Sequence, residues 1–233
     1  MMIIKEEILY KISKFLPFRC GSSEANYIKY LSNSFDKLSN KVDDSDISDG
    51  FAIIPFHLLF MMALNYRVLR ISKDQSEKYH LALTFKKETK ENEKIFNPSS
   101  PFDFSVFGES EVLNFFKLVG CKEDELGKIK SLIRVRNNLA HANGNIEINP
   151  EKMCEEYLGS LEIIQKLFSK SNQQLAHKFL KEIESDENIE QFFEIRYKDN
   201  IINEYDLKEI AGIFIKKNNI TKDQKKWLKS VIQ

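Results

Sequence analysis

From Phe51 to Ile71 the chain is apolar almost without a break, and this run sets the terms for whatever folds around it. A segment of that length is long enough to span a bilayer. Pro55, His57, Asn65, Arg67 and Arg70 stand inside it, however, and polar groups at that density are costly in hydrocarbon. In a protein interior, neighbours can supply their partners. The run therefore predicts the central helix of a soluble core, with no membrane partner.

The rest of the chain shares its helical rhythm. Ile4, Ile8, Leu9, Ile12, Phe15 and Leu16 recur at three- and four-residue spacing, which predicts an amphipathic helix ending near Pro17. A second helix is expected from Ser23 to Lys41, then an acidic loop at Asp43–Asp46, with Gly50 and Phe51 opening the central helix. The stretch from Asp74 to Lys94 should be helical at first. Asn97-Pro98-Ser99-Ser100-Pro101 reads as an exposed loop. Val112, Phe115, Phe116 and Val119 predict a helix closed near Gly120, and Glu123 opens another that frays near Asn143-Gly144. Asn149-Pro150-Glu151 combines a side-chain cap, a proline at the first helical position and early negative charge, and so starts a helix to about Lys170. Beyond Ser171 three further amphipathic pieces follow, the last opened by a capping box at Thr221-Lys222-Asp223-Gln224. No alternating Val/Ile/Thr segment is long enough to demand a sheet. The fold class expected is all-α, with a main domain over 1–170 and a helical C-terminal extension over 171–233.

Charge excludes little but orders the possibilities. The 35 basic and 35 acidic side chains cancel to a formal net charge of zero, so nucleic acid can be engaged only by a local patch. Cys20, Cys121 and Cys154 are odd in number and widely spaced, which suits a reducing cytoplasm rather than a disulfide framework. Lys5, Glu6 and Glu7 follow the first apolar residues directly, so a secretory signal is not expected. There is no zinc spacing, glycine-rich phosphate loop or Gly-x-Ser-x-Gly element, and neither metal nor cofactor is expected.

The helix from Glu123 carries the one segment whose residues do not fit their helical positions. At about 100° per residue, Leu126, Ile129, Leu132, Ile133, Val135, Leu139 and Ala140 share one broad side. Lys130, Arg134, Asn137, Asn138 and His141 lie opposite, while Arg136 projects into the apolar arc. A guanidinium there needs compensation, because an unpaired buried charge costs several kcal/mol. A carboxylate from a neighbouring helix, a break in the helix or a subunit interface with an anionic ligand would each serve. In the plain structural alternative Arg136 only fixes packing. The types present favour chemistry, since arginine matches phosphate oxygens bidentately and histidine moves protons near neutrality. RNA brings its own nucleophile in the 2′-hydroxyl, so a base, an acid and a cation suffice to cleave it.

Arg136-Asn137-Asn138-Leu139-Ala140-His141 resembles the signature of the HEPN superfamily, an arginine and a histidine separated by four to six residues in all, the first of them often polar such as asparagine. The resemblance implies an antiparallel helical bundle with the motif helix late in the domain. It further implies a metal-independent endoribonuclease, commonly a toxin or antiviral defence effector, active as a homodimer with a composite active site and held in check by an antitoxin or immunity protein. On this resemblance His141 is general base or acid and Arg136 stabilises the phosphorane, leaving a 2′,3′-cyclic phosphate. Arg134 also meets the spacing and is assigned phosphate binding; Asn137 and Asn138 are supporting residues. The alternative is a non-catalytic helical module for dimerisation or partner binding. His57 is read as a hydrogen-bonded core residue, His80 and His177 as surface residues, and Asn65 or an acid near Glu109 as groups able to face the motif.

Overall fold

The central run does form the spine of the molecule. The computed structural model describes residues 2–39, 46–84, 89, 93–140, 149–183, 188–216 and 220–232. The chain is all-α, built from α1 (Met2–Ser13), α2 (Ser22–Ser39), α3 (Asp46–Asp74), α4 (Ser76–Ala82), α5 (Glu109–Val112), α6 (Glu123–Ala140), α7 (Pro150–Lys166), α8 (Ser169–Glu182), α9 (Ile189–Asn200), α10 (Glu204–Ile215) and α11 (Lys222–Ile232). Among the described residues no strand occurs, only an isolated antiparallel bridge between Pro17 and Asn203.

Helix α3 is buried on nearly every side: Ile53, Phe56, Leu59, Phe60, Ala63, Leu64, Val68 and Ile71 are wholly inaccessible. It packs on α2, α6 and α7. By length and composition Phe51–Asp74 could cross a membrane, but 83% of its apolar window is already buried inside the protein. Pro55 lies within α3, and the helix continues through it. The helix starts at Asp46, so Gly50 is internal and does not open it. Residues 43–45 of the expected acidic loop lie outside the described residues.

Three other expectations change. The expected loop is present from Asn97 to Ser100, with Asn97 and Ser99 exposed, but Pro101 is buried and opens a 3₁₀ turn over Pro101–Val106 with Ser100 as its cap. The helix expected around Val112–Val119 is α5 followed by a 3₁₀ turn, Leu113–Val119, closed by Gly120 at φ 91°, a left-handed conformation that glycine adopts without strain. Helix α7 stops at Lys166 and α8 begins at Ser169, so four helices rather than three follow. The predicted caps hold: Asn149 Oδ1 accepts from the Lys152 amide at 2.9 Å, and Thr221 and Gln224 exchange hydrogen bonds at 2.9 and 3.2 Å.

Apolar burial falls into two clusters. The larger gathers α1–α7 around α3, and the smaller joins Ala176, Phe179, Phe193, Ile210, Phe214 and Leu228 of α8–α11. Adjacent residues serve different clusters at Ile201 and Ile202, and Ile201 takes φ 53° to do so, a strained value for a β-branched residue. The polar residues that interrupt α3 bind the clusters together. Arg67 donates to Asp206 of α10 at 2.7 Å and to Gln165 of α7. Arg70 donates to Asn172 of α8 at 2.7 Å, and its Nη1 stands 2.9 Å from Asp206 Oδ2 as a charge contact without hydrogen-bond alignment. Both guanidiniums lie over the Phe168 ring, at 4.8 and 5.2 Å. Asp206 is fully buried and accepts further bonds from Gln165, Asn172 and the Asn203 amide at 2.8, 3.0 and 3.1 Å. Burial alone would raise its pKa, but the two arginines hold the carboxyl far below the usual range.

Candidate functional site

Helix α6 begins with Glu123, Asp124 and Glu125, and the Lys122 amide donates to the Glu125 carboxylate at 2.9 Å. Early negative charge suits the positive end of the helix dipole. Leu126, Ile129, Leu132 and Ile133 are buried and lock the helix to the core. Arg136 continues that stripe, four residues after Leu132 and three after Ile133, so helical geometry carries its guanidinium inward. The stripe then weakens: Val135 and Leu139 are only partly buried and Ala140 is exposed, contrary to the apolar arc expected there.

The compensation expected for Arg136 comes from a carboxylate on another helix. Its Nη2 donates to Glu109 Oε1 at the start of α5, and the same nitrogen stands 2.9 Å from His57 Nε2 on α3. His57 Nε2 is in turn 3.1 Å from Glu109 Oε1, and its Nδ1 is 2.9 Å from the Tyr157 hydroxyl on α7. Four helices thus meet at one polar cluster. The shared contacts accommodate the proton on either ring nitrogen of His57. With the proton on Nε2, the imidazole donates to Glu109 and accepts the Tyr157 hydroxyl at Nδ1, and both donors converge on one carboxylate. With it on Nδ1, Nε2 accepts instead from Arg136 Nη2, and Nδ1 donates to the Tyr157 hydroxyl, whose own proton can go to the Leu132 carbonyl at 3.5 Å. In both arrangements each ring nitrogen is paired and Glu109 accepts from Arg136.

Burial sets the charges. His57 is wholly inaccessible, and desolvation lowers its pKa below the usual imidazole value despite the opposing pull of Glu109. It is neutral at physiological pH. Burial tends to raise the Glu109 carboxyl, but His57 and Arg136 outweigh it and hold the group below the usual carboxylate value. Desolvation pushes the Tyr157 hydroxyl up, so it remains a phenol. Arg136 keeps 17% of its side chain exposed and Glu109 keeps 29%, so the ion pair has a buried root and a wet edge. The Arg136 Nε is buried without a hydrogen-bond partner.

That wet edge opens into a cavity of about 450 Å³ lined by Gly108, Glu109, Ser110, Ile133, Arg136 and Asn137, among others. Arg136 and Asn137 therefore come together at one opening. Arg134 is exposed on the outward face and Asn138 is half-buried outside that lining. His141 lies outside the described residues. His57 is the buried, hydrogen-bonded residue expected, and His80 and His177 are on the surface. Among the described residues no cluster of three or more His, Cys, Asp or Glu is arranged to hold a metal.

The roles of Tyr157 and of the Arg67–Arg70–Asp206 network escaped sequence reasoning. The sequence pointed only to an acid near Glu109 able to face the motif. The available signal was the number of charged or hydrogen-bonding residues in α3, each of which required a partner. No family model, curated protein or solved structure matches the chain.

Proposed function

We propose that this chain is a metal-independent endoribonuclease of HEPN type, working in the cytoplasm as a toxin or antiviral effector. The observation that carries the reading is that Arg136 projects inward to a cavity wall, where neutral His57 and Glu109 fix its Nη2 and Tyr157 fixes the imidazole. An arginine kept only for solubility would sit where Arg134 sits. The all-α architecture and the late position of the motif helix support the same reading.

In the reaction proposed, RNA phosphate enters the cavity and meets the guanidinium fork, of which Glu109 and His57 engage only Nη2. His141, one residue beyond the end of α6, takes the proton of the 2′-hydroxyl. The 2′-oxygen attacks phosphorus, Arg136 balances charge on the phosphorane, and the 5′-oxygen leaves with a proton. A 2′,3′-cyclic phosphate and a 5′-hydroxyl result. A homodimer would bring two copies of His141 to one composite site, one as base and one as acid. General acid–base catalysis of this kind contributes about 10²–10⁴-fold. Asn137 orients substrate at the rim, and Arg134 binds flanking phosphate. An antitoxin or immunity protein is the expected partner that restrains the activity.

One observation favours a second reading. Glu109 already neutralises Arg136, as expected of a helical module that uses this cluster only for packing or partner binding. The two separate on purified protein in EDTA. The nuclease reading expects RNA cleavage that His141→Ala abolishes while the thermal unfolding midpoint is unchanged. Absence of cleavage by the unmodified protein, or full activity in the variant, would refute it.

A further inference from the structure

A second cavity, of about 460 Å³, shares Glu109 with the Arg136 opening. Leu58, Met61, Met62 and Asn65 form one wall; they are spaced i, i+3, i+4 and i+7, so a single face of α3 is turned to the cavity. Phe104 and Phe107 also line it. At the mouth, Tyr27 and Phe102 meet edge to face at 5.5 Å, and Phe102 is 37% exposed.

Asn65 is out of place on that face. Its Oδ1 is buried and has no hydrogen-bond partner, a state that costs stability relative to a satisfied group. A leucine in the same space would avoid the cost, and the neighbouring residues on the face are Leu and Met. The cost is recovered if a ligand brings a donor and the amide turns to meet it. The remaining walls specify that ligand. Thioethers and phenyl rings suit a flat apolar group, the Asn65 amide and the Glu109 carboxylate suit polar edges, and neither suits an aliphatic chain. The volume falls in the range of small-molecule sites, roughly 300–1,000 Å³. Because Glu109 borders both cavities and binds Arg136, a group seated here lies beside an anion held by that arginine.

We infer that this cavity is a nucleobase subsite: one unstacked base of the RNA strand sits against Met61, Met62 and Phe107 with its edge on the Asn65 amide, while an adjoining phosphate meets Arg136. The identity of the ligand rests on the ribonuclease reading; the cavity and the orphaned amide do not. An amide pairs its donor and acceptor with the edge of a base, and a base stacks favourably on an aromatic ring such as that of Phe107.

The test uses the full chain labelled at methionine methyls, titrated with each of the four ribonucleoside 3′-monophosphates, with ribose 5-phosphate and with octanoate. The Met61 and Met62 resonances should move saturably with at least one nucleotide, while Met153, which lies in the core away from the cavity, stays fixed. Ribose phosphate and octanoate should leave all three in place. Unmoved Met61 and Met62 with every nucleotide, or equal movement with octanoate, would overturn the inference. Asn65→Leu should weaken nucleotide binding about tenfold or more, equivalent to roughly 1.4 kcal/mol; unchanged affinity would remove Asn65 from the subsite. RNA cleavage in EDTA, measured in parallel, separates the two claims. Cleavage without methyl shifts leaves the nuclease and removes the subsite, whereas methyl shifts without cleavage leave a nucleotide site and remove the nuclease.

Discussion

Asp206→Ala isolates the interaction that joins the two apolar clusters. The carboxylate is fully buried, lies 2.7 Å from Arg67 Nη1 and 2.9 Å from Arg70 Nη1, and both arginines are themselves buried. Removing it leaves two guanidiniums without their shared counter-charge. At an effective dielectric of 20 a unit pair at about 4 Å is worth about 4 kcal/mol, and breaking a buried pair from one side typically costs about 3–5 kcal/mol. Asp74 remains 3.1 Å from Arg70, and Asn172 and Gln165 keep their contacts with the arginines, so the loss should fall near the lower end, about 3 kcal/mol. For a chain of this size that lowers the thermal midpoint by about 6–12 °C. The assay is urea unfolding at neutral pH, with hydrogen exchange to locate the loss, which should centre on α8 and α10. The charge also has a pH signature. Because the native carboxyl is held below its unfolded value, the unfolded chain binds a proton first as acid is added. The contribution is complete above the unfolded value, about 3.9, and fades as pH falls through the native one. Asp206→Ala should flatten that limb. A loss under about 0.5 kcal/mol, the range of ordinary surface changes, would refute the account of this network.

Tyr157→Phe removes the hydroxyl that meets buried His57 Nδ1 and should cost about 1–3 kcal/mol in chemical unfolding. Stability should also decline as pH drops below about 6.5, because the unfolded imidazole takes up a proton that native His57 resists; His57→Gln should weaken that dependence. Asn149→Ala deletes the α7 cap and should cost about 1 kcal/mol, read by the same titration. Arg134→Ala, on an exposed position, should leave stability within about 0.5 kcal/mol, while the salt dependence of RNA binding becomes shallower by about 0.7 in log–log slope for one lost phosphate contact on a single strand.

What was legible in the chain was local. Apolar spacing located most helices because the 3.6-residue period is written in neighbouring positions, and Asn149 and Thr221 announced their caps because a cap and its target lie within one turn. Gly50 misled because glycine weakens a helix without forbidding it, and α3 has the length and burial to include it. Arg136 was legible as a misfit, but the choice among its three remedies depended on α5 folding back over α6. Asp206 was not legible. Its arginine partners stand far upstream in α3, and nothing in Glu204–Ile215 distinguishes a buried acid from a first-turn carboxylate.

The central claim is that Arg136 and His141 cut RNA by way of its own 2′-hydroxyl. The most direct measurement follows end groups in EDTA after incubating the protein with a short RNA, beside the same strand with a single 2′-deoxy substitution at the position where the ribose strand would be cleaved. The account predicts a 2′,3′-cyclic phosphate and a 5′-hydroxyl from the ribose strand, resistance of the substituted strand, and loss of about 10²-fold or more in rate for Arg136→Ala. Cleavage of the 2′-deoxy strand at an equal rate, or ends carrying a 5′-phosphate, would contradict it.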